Sequence, residues 1–520
     1  MNAADGLRLS AWKYPQKTAA VYFDKRCSYQ ELDERVNRLA NGLLEMGFKK
    51  GDKVAYLLYN SIEGLEIIQA LLRAGITLVP INYRLNPDHM EYIINHCDAI
   101  CLFLGAELLD MVQPFMSKLK NIPRQNFIIV GDKAPEGMNR YENIMSKSIE
   151  NPEADVKPTD MAYIAYTSGT TGLPKGVVTS NRALMANMKN ALFRGYSRAE
   201  IAPENRTLLV MMPLVHSNSI WSTTITLWYG GTNVVYRSRG FDAEEVLKMI
   251  DRERVSTSSV VPFMLAKMLE LPEEVRRKYD VSSVTSIGSG SAMLYQSVID
   301  KMPSYFSGVR LSNSYGSSET GPATTLRYQD LTKKPGSIGK PIPGVNVKVL
   351  DKDGKELPLG EVGEIWVKSD QAFEGYYKDP EKTAQAKRGE WACAGDLGYK
   401  DEEGYFYLAD RGDDIIISAG EHIAPAEVEN VITSHPAVAE VAVIGVPDEM
   451  WGQRVTACVK LKEGWVCTEE EVIGYCREKL PGFKVPKTCE FVTEFPTTLT
   501  GKILKRVLRE EYKKKARERK

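Results

Sequence analysis

The residues from Thr167 to Lys175 carry the clearest chemistry in the chain. Thr167, Ser168, Gly169, Thr170, Thr171 and Gly172 are followed by Leu173, Pro174, Lys175 and Gly176. Glycines let the backbone take positive φ and approach a ligand closely. Successive free N–H groups, hydroxyls and one ammonium would form a concave anion site suited to a polyphosphate. The stretch is not a Walker loop, which needs Gly-Lys-Ser/Thr in sequence; Leu173 and Pro174 separate Gly172 from Lys175. Nor is there a dinucleotide fingerprint, because Gly288-Ser289-Gly290 lacks the third glycine. Taken alone, the composition fits a Thr/Gly-rich turn with a solvated lysine equally well.

Further stretches add functional groups. Asn313-Ser314-Tyr315-Gly316-Ser317-Ser318-Glu319-Thr320 follows a predicted strand and offers an aromatic face, hydroxyls and a carboxylate. Gly395-Asp396-Leu397-Gly398 puts a carboxylate in a predicted tight turn, and Asp410-Arg411-Gly412-Asp413-Asp414 sets an arginine among acids. Thr500-Gly501-Lys502 is a loop with one lysine near the C-terminus. Any one of these, by itself, also reads as turn residues, surface ion pairs or solvated charge.

Composition narrows the classes. A chain of 520 residues exceeds one ordinary core, so two or more domains are expected. A net charge of −1 provides no global field for nucleic acid or a membrane surface. The first residues lack an apolar signal segment, and no apolar run approaches the roughly 18 residues of a spanning helix, so a cytoplasmic protein is the expectation. Eight cysteines without a C-x-x-C pair and five histidines point away from a disulfide framework or a zinc site.

The elements that must position these groups alternate. Ser28 with Glu31 forms a capping box ahead of a helix ending near Gly47. Lys53–Tyr59, Ile76–Ile81, Ile100–Leu104 and Met161–Tyr166 read as strands, with helices at Ile62–Arg73 and from Asn86 to His96. Such alternation implies parallel sheets covered on both faces. Beyond Pro341 the pattern changes to short strands joined by turns, and from about Asp413 a small α+β unit follows.

Together, in this order and spacing, the five motifs resemble those of the adenylate-forming superfamily of acyl- and aryl-CoA ligases, firefly luciferase and peptide-synthetase adenylation domains. The likeness runs from about Tyr29 to Arg506. Around Asp410–Ile423 and Trp451–Val459 it looks especially like aryl-CoA ligases of the 4-chlorobenzoate type, in scaffold rather than in substrate. The resemblance implies a large α/β N-terminal domain, residues 1–412, of helix-covered, mostly parallel sheets with a small β-rich subdomain. A small mobile α+β C-terminal domain, residues 413–520, would carry the catalytic lysine. It implies an acid-thiol ligase using ATP, Mg2+ and coenzyme A through an acyl-AMP, with an enzyme that loads a carrier protein as the alternative. The implied partners are a small-molecule carboxylic acid and CoA, with a homodimer left open.

The roles it implies follow the motifs. The loop from Thr167 through Ser168, Gly169, Thr170, Thr171 and Gly172 to Lys175 would wrap the β- and γ-phosphates, and Glu319 with Thr167 would hold the metal. Tyr315 would stack on adenine, Asp396 would accept the ribose hydroxyls and Arg411 would sit beside ribose and phosphate. Gly288, Ser289, Gly290, Asn313, Ser314, Gly316, Ser318 and Tyr407 would complete the nucleotide pocket. Lys502 would bridge the attacking carboxylate and the α-phosphate. Asp413 would be the hinge about which the small domain turns. Ser418, Ala419, Gly420 and Glu421 would then line a pantetheine tunnel, with Trp451 and Phe483 flanking the CoA adenine unless they are ordinary core aromatics.

The acyl pocket would be drawn from His216, Trp221, Phe263 and Ser289, with Trp228 adding apolar bulk; His216 also fits a core histidine. No acidic residue lies between Val210 and Arg237; peptide-synthetase adenylation domains place an aspartate there for the substrate ammonium, so the resemblance disfavours an amino-acid substrate. Departures from the pattern are Ser318 for a threonine, Ala394 for a threonine and Ala419 for a glycine. None removes a catalytic charge; they bear on thiol specificity.

Overall fold

The structure is a computed structural model that describes residues 2–167, 173–197, 202–237, 239–292, 294, 296–411, 416–418, 421–423, 425–448, 452–497 and 503–518. The predicted capping box is present: Ser28 Oγ accepts from the Glu31 N–H at 3.2 Å, and the Ser28 N–H donates to Glu31 Oε2 at 2.7 Å. It starts helix α1 (Tyr29–Glu45), whose Leu32, Val36, Leu39 and Leu43 are buried on one face. Helix α2 (Ile62–Ala74) packs against it and ends at Gly75, left-handed at φ 70°. Arg73 of α2, 3 % exposed, is held between the helices by Asp33 Oδ1 at 2.7 Å and Asn37 Oδ1 at 2.6 Å.

Two large sheets organise the rest. Strands β1 (Met161–Thr167) and β2 (Lys175–Ser180) form an antiparallel hairpin at one side of an eight-stranded sheet. The neighbouring pairs Thr77–Pro80, Lys53–Leu57, Cys101–Gly105 and Phe127–Val130 are parallel, as the alternation implied. A fourteen-stranded sheet holds helix α3 (Ser217–Tyr229) against it and contains β3 (Ser286–Gly290), β4 (Arg310–Ser317) and β5 (Gly321–Leu326). The short strand β6 (Gly375–Tyr376) returns to the first sheet beside β2. Strands β7 (Trp391–Lys400) and β8 (Phe406–Arg411) lie in the second. The strands Asn346–Leu350, Gly363–Lys368, Trp391–Lys400 and Phe406–Arg411 therefore extend the large sheet through antiparallel pairings.

Two local expectations are corrected. The Asn313–Ser317 run does not follow a strand; it is the strand β4, paired with β3 on one side and β5 on the other. Gly395 and Asp396 are not in a tight turn but inside the ten-residue β7. Gly395 takes φ 80° there, and the pairing with β8 shifts between Leu397 and Gly398, so the bend is a local irregularity within a continuous strand.

A separate five-stranded sheet is built from Ile416–Ser418, Glu421–Ile423, Val438–Asp448, Gly452–Leu461 and Thr488–Phe491. Helices Pro425–Thr433 and Lys505–Glu518 pack on it, giving the small α+β part. No helix among the described residues is long and apolar enough to cross a membrane.

Because Arg73 is sealed between α1 and α2, removing its counter-charge leaves a buried cation. Asp33→Ala should lower stability by roughly 3 kcal/mol, read as a drop in the thermal midpoint.

Candidate active site

The β1–β2 hairpin sets the ends of the threonine-rich loop. Thr167 pairs with Lys175 and Tyr166 with Gly176, so the loop leaves and re-enters the sheet at a fixed width of about 5 Å. Beneath it the Tyr166 hydroxyl meets His96 Nδ1 at 2.7 Å. Burial raises the Tyr166 phenol, and burial with Lys378 nearby lowers His96, so the two meet as neutral groups. A Cβ on Gly176 would lie 2.9 Å from Ile164 Cγ2 and 3.0 Å from Tyr166 Cζ; only glycine lets that ring cross the strand.

The facing wall comes from β3 and β4. Gly288, Ser289 and Gly290 pair with Ser312, Asn313 and Ser314, which brings two of the predicted nucleotide segments side by side at the ends of parallel strands. Ligands in α/β sheets bind at such carboxyl ends. The β4–β5 turn then presents Glu319, 8 % exposed. Its N–H donates to Ser317 Oγ at 3.2 Å, its carbonyl accepts from the Phe373 N–H at 2.8 Å, and its Oε1 accepts from the Tyr376 hydroxyl at 3.0 Å. The Lys175 ammonium lies 5.3 Å from the centre of the same Tyr376 ring. Gly316 sits where β5 passes so close that a Cβ would lie 2.4 Å from Gly321 O.

Tyr315 and Asp396 meet directly: the phenol donates to Asp396 Oδ2 at 2.8 Å. Burial, reinforced by Asp396, pushes the Tyr315 phenol well above its ordinary range, so it stays a donor. Asp396 pairs across the sheet with Arg411, the last residue of β8. Tyr407 does not join them. It lies four residues up β8, about 13 Å along the strand, its ring stacked on Tyr399 at 4.9 Å and its hydroxyl 3.4 Å from Asp401 Oδ2.

Of the residues expected to line the acyl pocket, His216 is the N-cap residue at the start of α3 and Trp221 lies in its second turn. Trp221 donates through Nε1 to the hydroxyl of Tyr163 on β1 at 2.7 Å. Asn218, in the first turn, donates to Ser259 Oγ at 2.9 Å. Trp228 instead serves packing, donating to Ala3 O at 2.6 Å with its ring over Gly6. Phe263 is 46 % exposed and lies 6.3 Å from Phe241. The buried side-chain atoms His216 Nε2 and Ser289 Oγ have no hydrogen-bond partner among the described residues.

Ser418 is buried and pairs with Glu421 and Gly452, while Phe483 is exposed, which removes it from the core aromatics. Ser168, Gly169, Thr170, Thr171, Gly172, Asp413, Ala419, Gly420, Trp451 and Lys502 lie outside the described residues, as do the side chains of Arg411 and Glu421. Sequence reasoning missed Tyr376 and the Tyr163–Trp221 contact; both depend on partners far away in the chain, and only the Gly-Tyr-Tyr punctuation at 375–377 marks the first.

Paired hydroxyl, amide and carboxylate groups thus gather at the strand ends of two joined sheets in a large α/β fold. Residues 7–377 match the family described as AMP-binding enzyme, and residues 427–502 match the AMP-binding enzyme C-terminal domain. The chain belongs to the AMP-binding enzyme family. It is similar to an indoleacetate–CoA ligase of Aromatoleum aromaticum, 33% identical, with 94% of each chain covered. It is equally similar to a long-chain-fatty-acid–CoA ligase of Bacillus subtilis, 33% identical over 96% of this chain and 93% of the relative. The crystal structure of the anthranilate CoA ligase AuaEII in complex with anthranoyl-AMP superimposes with a TM-score of 0.91 at 28% identity, covering 99% of this chain and 98% of that one.

Burial, with Arg84 nearby, holds the His216 imidazole down at about 4, against an ordinary 6.5. Between those values the unfolded chain binds the extra proton. The stability owed to neutral His216 is therefore complete above pH 6.5 and is lost as the pH falls toward 4. His216→Gln should flatten the fall of the thermal midpoint across that window, measured by calorimetry.

Proposed function

We propose that the chain is an ATP-dependent carboxylic acid:CoA ligase. The acid attacks the α-phosphate of ATP, giving acyl-AMP and pyrophosphate. The CoA thiolate then attacks the acyl carbon, and AMP leaves as the thioester forms. The observation that carries this reading is the convergence, at one seam, of the Thr167–Lys175 hairpin, the Glu319 carboxylate and the Tyr315–Asp396 pair.

Two anions must meet in the first step, so the site has to offset phosphate charge. Lys175 and the loop N–H groups are assigned to the β- and γ-phosphates. Asp396 accepts the ribose hydroxyls, and Tyr315, largely buried, offers the base only its open edge or face. Arg411 stands beside ribose and phosphate. Glu319 and Thr167 supply carboxylate and hydroxyl oxygens, the donor set that suits a hard dication. Glu319 Oε2 takes no hydrogen bond among the described residues, which leaves it for that ion. When bound, Mg2+ offsets charge on the phosphate oxygens.

Lys502 is assigned to the attacking carboxylate and the α-phosphate. The division into residues 1–412 and 413–520, with Asp413 as hinge, lets that lysine withdraw before the thiol enters past Ser418 and Glu421, with Phe483 at the surface beside the CoA adenine. The acyl pocket, bounded by His216, Trp221, Phe263 and Ser289, offers apolar surface, neutral polar atoms and no acid. An uncharged apolar or aromatic tail fits it.

AMP release followed with a panel of aryl, arylacetic and straight-chain acids tests the reading; release should require both acid and CoA. Adenylate formation without CoA use would point to a carrier protein, and no release with any acid would overturn the proposal. Lys502→Ala should reduce acyl-AMP formation by about 100-fold or more while leaving thiolysis of supplied acyl-AMP within a few-fold. Equal loss in both half-reactions would remove the role given to the lysine.

A further inference from the structure

The segment Phe373–Tyr377 touches both charged groups of the phosphate end, and it does so from opposite sheets. Toward the first sheet, Gly375 and Tyr376 pair with Val178 and Val177 of β2, and the Tyr377 N–H donates to Gly176 O at 2.7 Å. Toward the second, the Phe373 N–H donates to the Glu319 carbonyl at 2.8 Å. The Tyr376 backbone is fixed further by its N–H on Thr383 Oγ1 at 2.8 Å, and its ring by an edge contact with Phe373 at 5.1 Å.

Within this frame the Tyr376 side chain faces two ways. Its hydroxyl donates to Glu319 Oε1 at 3.0 Å, and its ring lies 5.3 Å from the Lys175 ammonium. An ammonium within about 6 Å of a ring centre is attracted to it. Lys175 and Glu319 form no ion pair with each other among the described residues; each meets the Tyr376 side chain, the ammonium over the ring and the carboxylate at the hydroxyl. Without the ring, a lysine and a buried carboxylate on neighbouring segments would be free to close into a direct pair and cancel the charges that each must offer a ligand.

We infer that Tyr376 is a positioning residue that keeps Lys175 and Glu319 apart and aimed, so that the pair meets metal-bound polyphosphate with both charges available. The inference rests on the assignment of Glu319 and Lys175 made under Proposed function. Tyr376 touches neither the acid nor the thiol. It acts by directing one carboxylate oxygen and by occupying the gap the lysine would cross.

The test is calorimetric titration of ATP into the full-length protein at a series of Mg2+ concentrations, beside pyrophosphate-exchange kinetics. Tyr376→Phe keeps the ring and removes the hydroxyl. It should raise the half-saturating Mg2+ concentration for ATP binding by roughly 10-fold, the scale of one hydrogen bond to a charged group, and leave ATP binding without Mg2+ unchanged. Tyr376→Leu removes the spacer as well and should weaken ATP binding in both conditions. In a Glu319→Gln background, Tyr376→Phe should have little further effect, because its partner charge is gone.

Additive losses in that cycle, or an unchanged Mg2+ requirement in Tyr376→Phe, would overturn the inference. If Tyr376→Phe lowers the thermal midpoint, Thr383→Val, which loosens the same segment without touching the hydroxyl, serves as the comparison. An equal Mg2+ shift in Thr383→Val would mean general loosening and would also overturn it. Wild-type protein that binds ATP with no response to Mg2+ would instead overturn the assignment of Glu319, a distinct failure.

Discussion

A polyphosphate site must hold opposite charges a few ångströms apart without letting them satisfy each other. Free lysines and carboxylates at that range attract, and inside a protein the attraction is stronger than in water. Here the separation is structural. Lys175 is fixed at the end of a hairpin in one sheet, Glu319 at a hairpin turn in the other, and an aromatic side chain anchored to both sheets contacts each. The unspent charge belongs to the resting fold, so little reorganisation is needed when a ligand arrives.

That arrangement depends on how the two sheets are joined. The β1–β2 hairpin turns the otherwise parallel sheet back on itself and adds a short strand contributed from about 200 residues downstream. The β4–β5 hairpin makes the corresponding reversal in the larger sheet. The β4–β5 reversal places its polar turn against Phe373, and one face of α1 packs on the buried helix α2. The Tyr315–Asp396 bond adds a third tie, between β4 and β7 within the larger sheet.

Much of the framework was legible in the chain itself. The capping box at Ser28 and the apolar run into Thr167 are local signals with local causes, and the structure keeps both. The five motifs also led to the family. What failed was turn chemistry inside long strands. Gly316 and Ser317 disfavour strands, yet pairing on both edges keeps them in β4. Gly395-Asp396 has the composition of a turn, but a left-handed glycine is absorbed within β7 because β8 runs alongside it. Tyr376 was invisible for another reason: neither Lys175 nor Glu319 is near it in sequence, and no periodicity announces a two-residue strand. Tyr407 was carried over from the motif pattern, and the geometry of β8 sets it well away from Asp396.

The Trp221 indole is tied to Tyr163, which lies four residues before Thr167 on the strand that leads into the threonine-rich segment. Under the proposed function, with Trp221 walling the acid pocket and this strand feeding the phosphate loop, substrate breadth and nucleotide grip are mechanically linked. Trimming that tryptophan to admit bulkier acids would then also loosen the strand bearing Tyr163 and Thr167, so selection for a new acid would have to repair both at once.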